Sequence, residues 1–169
     1  MMADHTQGTV VTLLSHLLPQ DTIMKTIHLF CYGTLQSPLV MKSVTGHVFP
    51  GKKATLENWV RYRVRQTEYP GIVPQQNASV PGIVFSEIDE ETLRKLDLFE
   101  GEKYERVPVE IFFEDGSKGT AEVYSIRRDC RDVLSNEAWD FDRFLEDGLR
   151  KFISWFVEDR RDLFDRGDL

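Results

Sequence analysis

Two stretches of this chain hold residue types that could do chemistry at the spacing chemistry needs. The first is Leu96-Asp97-Leu98-Phe99-Glu100-Gly101-Glu102-Lys103-Tyr104-Glu105-Arg106. Asp89 to Phe99 reads as a short amphipathic helix, with Asp89 as its cap and Ile88 and Leu93 at the positions of a hydrophobic staple. Leu93, Leu96 and Phe99 recur at helical spacing as an inward face. Gly101 suits the left-handed residue that ends a helix. Glu100 then stands at the last helical positions, beside the apolar edge and at the negative end of the helix dipole. Burial and dipole both disfavour a carboxylate, so its pKa is expected to rise toward the range of a general base. A solvated Glu at a helix end is the plainer alternative.

The second stretch is Tyr32-Gly33-Thr34-Leu35-Gln36-Ser37-Pro38, which follows directly on the apolar run Thr26 to Cys31. A glycine there permits positive φ and close approach of a ligand. Such a turn can aim several backbone N–H groups at one point, where they would hold a carboxylate or an oxyanion. Equally, it can be a simple strand exit. Other catalytic patterns are missing: the sequence has no GxSxG, HExxH, phosphate loop or GxGxxG after a strand. His5, His16, His28 and His47 are scattered, and Cys31 and Cys130 lack a CxxC or a nearby histidine at ligand spacing. Neither a catalytic triad nor a metal centre is signalled. His28 reads as a structural strand residue, and Cys31 as a buried small hydrophobe.

The elements that must position these stretches follow from pattern. Thr26 to Cys31 is a central strand and Pro38 to Val44 a short helix opened by proline. Ala54 to Arg65 and Gly82 to Ile88 are strands, with a turn and a short extended piece at Glu68 to Pro74. Arg106 to Phe113 alternates Val107, Val109, Ile111 and Phe113; Asp115-Gly116 turns it back into Gly119 to Ile126. Phe141, Phe144, Leu145, Leu149, Phe152, Ile153, Phe156 and Val157 step by three and four as the stripe of a C-terminal helix, with Ser135 or Asp140 as its cap. That stripe either packs on the domain or forms a dimer face. Glu158 to Asp162 reads as a solvated helix end. The expected fold class is α+β: a small mixed sheet or barrel with helices packed outside and the last helix appended.

A chain of 169 residues can bury one substantial core, and 41% hydrophobic against 29% charged residues is the balance of a soluble globular protein. Twenty-eight acidic against 21 basic residues give a net charge of −7, without the basic face that nucleic acid or an anionic membrane requires. Two cysteines fit a reducing, cytoplasmic compartment better than a disulfide scaffold. Residues 1–23 carry a brief apolar patch, Val10 to Leu14 with Leu17-Leu18, too short to span a bilayer and without the basic flank of a targeting signal. They are expected to form an appendage, followed by a domain over 24–134 and the C-terminal helix over 135–169.

In combination, four segments resemble the gamma-glutamylcyclotransferase-like family. Phe30-Cys31-Tyr32-Gly33-Thr34-Leu35 is similar to its first strand and loop, and Glu68-Tyr69-Pro70-Gly71-Ile72-Val73-Pro74 to its middle segment. Val80-Pro81-Gly82-Ile83-Val84-Phe85 is similar to its next strand. Leu96 to Gly101 followed by Tyr104-Glu105-Arg106 resembles the segment bearing its catalytic glutamate. Trp139-Asp140-Phe141 and the charged final helix look like the plant avirulence-induced-gene-like branch and its microbial relatives.

The resemblance implies a small β-barrel with surrounding helices and a cavity between the loop and the glutamate. It also implies cofactor-free aminolysis of a γ-glutamyl amide within the substrate, releasing 5-oxoproline and an amine or amino acid. Glu100 would be the base and then the acid. The Tyr32, Gly33, Thr34, Leu35, Gln36 and Ser37 loop would hold the substrate, with Tyr104 adding a phenolic hydrogen bond or else serving as a packed aromatic. Arg106 would be structural, pairing near Glu100 or a loop carbonyl. The loop reads Tyr-Gly-Thr-Leu rather than the Tyr-Gly-Ser-Asn of the glutathione-pathway and γ-glutamyl dipeptide enzymes. The Thr-Leu form also occurs in the γ-glutamylamine branch, which makes γ-glutamyl-lysine and other γ-glutamyl amines candidates. A non-catalytic module that binds a small ligand or a partner in the same cavity is the alternative, and either could be monomer or dimer.

Overall fold

Successive residues of the first strand point to opposite faces, and both faces here are apolar. Phe30 and Tyr32 face one cluster, Leu29 and Cys31 another. A strand buried on both sides needs a sheet that encloses one core and carries helices over a second. The computed structural model, which describes residues 26–159, has that arrangement. The elements are β1 (Ile27–Cys31), a 3-10 turn (Thr34–Gln36), α1 (Pro38–Thr45), β2 (Gly51–Val64), β3 (Pro70–Ile88), α2 (Glu90–Glu100), β4 (Tyr104–Phe113) and β5 (Lys118–Ile126). A second 3-10 turn (Arg128–Val133), β6 (Leu134–Ala138), α3 (Phe141–Arg143) and α4 (Leu149–Asp159) follow, the last two joined by a π-helical segment (Phe144–Gly148).

The strands run in the order β3-β1-β5-β4-β2-β6, and β2 also pairs with β3, so five strands close a barrel and β6 extends it. The pairings are antiparallel except β1 with β5, where Leu29 lies opposite Glu122. The fold is α+β: a small mixed barrel with surrounding helices, including one at the C-terminal side. Phe30, Tyr32, Leu56, Ile72, Val80, Ile111 and Val123 fill the barrel. A second core, built on Leu29, Cys31, Leu35, Met41, Ile88, Leu96, Phe99 and Tyr124, joins barrel to helices and takes in Phe144, Phe152 and Phe156.

Three elements depart from expectation. The extended piece ending at Pro74 and the segment at 82–88 are one 19-residue strand, β3, paired with β2 from Pro70 to Phe85 and with β1 from Ile83 to Ile88. Its prolines and the irregularity opposite Asn58 disguise it. The register jumps between Glu57 and Trp59, Asn58 and Asn77 both take positive φ, and Asn77 N donates to Asn58 Oδ1 at 3.2 Å. Second, Ser135 caps no helix. It lies in β6, a strand the sequence did not suggest, and its hydroxyl donates to Arg63 O at 2.9 Å. Asp140 is the cap, accepting from Arg143 N at 2.8 Å. Third, the apolar stripe is not one uniform α-helix. The π segment resets its phase, burying Phe144, Phe152 and Phe156 and leaving Leu145 exposed. The appendage expected over 1–23 lies outside the described residues, as do residues from 160 onward.

Candidate functional site

Glu100 owes its position to the way α2 begins and ends. Asp89 caps the start, accepting from Thr92 N at 2.7 Å, and the bond holds its carboxyl below the usual carboxylate range. Thr92, Leu93, Leu96 and Phe99 bury the inner face. At the other end Gly101 takes φ +75° and ψ −172°, a region essentially confined to glycine, while its N–H still reaches Asp97 O at 3.1 Å. The chain therefore turns sharply straight after Glu100, the last helical residue, which is half-buried.

A polar clamp ties this last turn to the barrel. Tyr124 Oη of β5 donates to Asp97 Oδ1 at 2.7 Å, and Arg106 Nε of β4 donates to the same oxygen at 2.9 Å. Arg106 Nη1 also bonds Glu122 Oε2. The arginine pairs close to Glu100, as expected: its partners are Asp97, three residues earlier on α2, and Glu122. Its position one strand beyond the helix made it visible in the sequence; Glu122 on the neighbouring strand did not show.

Opposite Glu100, β1 runs out into the loop. Gly33 has φ −122°, not the positive φ expected of it. The glycine is needed for another reason: a Cβ there would stand 2.8 Å from Pro70 Cγ. Gln36 N and Nε2 both donate to Gly33 O, at 3.1 and 3.3 Å, and Ser37 N donates to Thr34 O at 3.0 Å. Arg61 Nη1 donates to Tyr32 O at 2.6 Å from beneath, with its guanidinium 5.0 Å from the Trp139 ring centroid. No sequence signal marked Arg61; it reaches the loop from near the end of β2.

Between loop and helix end lies a cavity of about 380 Å³. Tyr32, Gly33, Thr34, Leu35, Glu100 and Tyr104 line it, and Gln36 and Ser37 do not. These last two are buried behind the loop, and their backbone N–H groups are taken by the turn. Sequence reasoning also missed Cys31, Tyr69, Phe152 and Trp155 as lining residues.

The electrostatics are those of a carboxylate among buried neutral groups. Burial first, then the Glu100 charge, pushes the Cys31 thiol and the Tyr32 phenol well up. Burial also raises Tyr104, with Tyr32 and Glu100 adding to it. Tyr124 is raised by burial and by its bond to Asp97. Tyr32 Oη donates to Tyr124 O at 2.7 Å and Tyr104 Oη to Pro70 O at 2.8 Å, so both rings are fixed by their own hydroxyls. Among the described residues no cluster of three or more His, Cys, Asp or Glu could hold a metal ion, and no helix is long and apolar enough to cross a membrane. What remains is one half-buried carboxylate facing a glycine turn across a partly apolar cavity. Such a pair can move a proton beside a bound polar group.

The sequence model of a family described as "Gamma-glutamyl cyclotransferase, AIG2-like" matches residues 29–141, from β1 into α3. "AIG2-like protein B" of Arabidopsis thaliana is 32% identical over 133 residues, covering 78% of this chain and 76% of the relative. A solution structure of an Arabidopsis thaliana protein superposes with a TM-score of 0.60 at 30% identity, covering 82% of this chain and 93% of that one. A structure described as "Gamma-glutamyl cyclotransferase" shares the fold, with a TM-score of 0.54 at 19% identity over 61% of this chain and 68% of its own.

Proposed function

This chain belongs to the AIG2-like gamma-glutamyl cyclotransferase family, and from that premise we propose that it cyclises a γ-glutamyl amide to 5-oxoproline, releasing an amine or amino acid. The observation that carries the reading is that Glu100 and the Tyr32–Leu35 turn line one cavity. The substrate's α-ammonium must lose a proton before its nitrogen can attack the γ-carbonyl, and Glu100 is the base that takes it. The new C–N bond closes the five-membered ring and gives a tetrahedral oxyanion. Backbone N–H groups of the Gly33–Leu35 turn stabilise that oxyanion or hold the α-carboxylate. The bond to the leaving nitrogen then breaks, and protonated Glu100 delivers its proton there. The ring nitrogen sheds its second proton to the carboxylate so regenerated, which passes it to the departing amine, now an ammonium; nothing is oxidised or reduced, and no cofactor is needed. Tyr104 gives its own proton to Pro70, so it offers the substrate's ammonium an acceptor lone pair.

The test is 5-oxoproline release from a panel of γ-glutamyl dipeptides and γ-glutamyl amines, wild type beside Glu100→Gln. Wild type is expected to turn over at least one, with a rate rising through a single ionisation. Glu100→Gln is expected to lose roughly 10²- to 10⁴-fold, the usual worth of a general base, and that ionisation with it. Folded protein that binds a γ-glutamyl ligand without turnover would replace the enzyme with the binding module.

A further inference from the structure

We infer that α4 builds the leaving-group end of the cavity, and that its aromatic wall of Phe152 and Trp155, continued by Tyr69, selects a released amine with a flat apolar body. The inference rests on the cyclisation proposed above and names what that reaction discriminates.

Cyclisation curls the γ-glutamyl group back on itself, so its own atoms occupy only the space beside Glu100 and the glycine turn. Whatever hangs on the scissile nitrogen must extend along the remaining walls. One of these is the turn after α2, where Glu102 and Lys103 are exposed at the rim. The other is aromatic. Phe152 is 4% exposed and Trp155 37%, so the wall runs from the buried core out to the mouth. Trp155 contacts Phe152 with ring centroids 5.8 Å apart and Tyr69 at 6.5 Å, the ring planes tilted by 54° and 31°. Rings in contact with one another form a continuous surface, not a box closed around a cation. A ring laid on such a surface gains apolar burial and the offset or edge geometry that aromatic pairs favour. Both α4 residues lie beyond the residues that match the family, 29–141. The chemistry thus sits inside the shared segment, and the α4 part of this wall sits outside it.

The test compares γ-glutamyl phenethylamide, γ-glutamyl methylamide and γ-glutamyl 4-aminobutylamide. Wild type gives kcat/KM, and Glu100→Gln gives Kd by calorimetry. The phenethylamide is expected to be favoured over the methylamide by roughly ten- to a hundredfold, the worth of burying one aromatic ring. Trp155→Ala should shrink that ratio to within a few fold, and Trp155→Phe should keep most of it. Equal values for the three, a best value for the diamine derivative, or a ratio untouched by Trp155→Ala would overturn the subsite. Turnover without a ring preference removes the subsite and keeps the reaction. A ring preference in Kd that depends on Trp155, without turnover by wild type, removes the reaction and keeps the subsite. Neither turnover nor binding of any of the three removes both.

Discussion

Two glycines flank the cavity, and they are glycines for different reasons. Gly101 holds a backbone conformation that side chains resist, yet nothing lies within 4 Å of where its Cβ would be. Gly33 has an ordinary φ but meets Pro70 at 2.8 Å. Gly101→Ala should therefore cost about 1–3 kcal/mol in urea denaturation through strain alone, and no second substitution nearby should restore it. Gly33→Ala should cost a comparable amount, about 1–3 kcal/mol, through overpacking. Here Pro70→Ala in the same chain should recover most of the loss, since it removes the atoms in the way. The sequence marked both glycines as meaningful. It supported the positive φ at Gly101, where the helix pattern ends. It misdirected at Gly33, because Pro70 is a neighbour only after β3 has folded against β1.

At the scale of elements, legibility followed locality. α2 declared itself through its cap, staple and terminal glycine, all within a dozen residues, and the β4–β5 hairpin through alternation around Asp115-Gly116. β3 did not, because Pro74, Pro81 and the irregular stretch 75–78 opposite Asn58 imitate loop composition. β6 did not either, because its register is set by Tyr62 and Val64 of a distant strand. The cap carries a prediction of its own. Asp89→Ala should cost about 1 kcal/mol of stability at neutral pH. Because the folded carboxyl titrates below its unfolded value near about 3.9, the capped state gains its advantage above that pH. The gain fades as pH falls through the folded value. Wild type and Asp89→Ala should accordingly converge in acid, which melting curves from pH 7 down to 2.5 would show. The π segment is testable too. Deleting exposed Glu146 should restore regular α-helix and leave α4 in phase, because the π turn is what accommodates the one extra residue. Phe152 and Phe156 would then stay in the core with little change in thermal denaturation, whereas deleting Asp147 as well should turn α4 by about 100° and cost more than about 3 kcal/mol.

At the scale of the whole molecule, the core between barrel and helices gathers residues from Leu29 to Phe156, so cavity and fold share one fate. Tyr32, Tyr104 and Tyr124 belong to both, and all three phenols are raised from their ordinary value. The unfolded chain ionises them near about pH 10, whereas the folded chain keeps them neutral. Their contribution to stability is complete below that pH and is lost as pH rises toward the folded values. Alkaline titration followed by phenolate absorbance should show these three appearing together with loss of circular dichroism. The barrel, the helix ring and the facing of loop and glutamate were foreseeable from four sequence segments. The aromatic wall was not, since a stripe on a helix does not reveal which of its rings will border a cavity. The parallel pairing of β1 with β5 has a consequence in time. Tyr32 bonds to Tyr124, 92 residues later, and β1 has no neighbour on that side until β5 exists. While the chain is being synthesised, β1, β2 and β3 can pair soon after they emerge. They must then wait with an open edge, the kind of edge that recruits other chains. The sheet thus stays unclosed until residue 126 is out, and any pause in translation between α2 and β5 prolongs the interval in which this protein is most easily lost to aggregation.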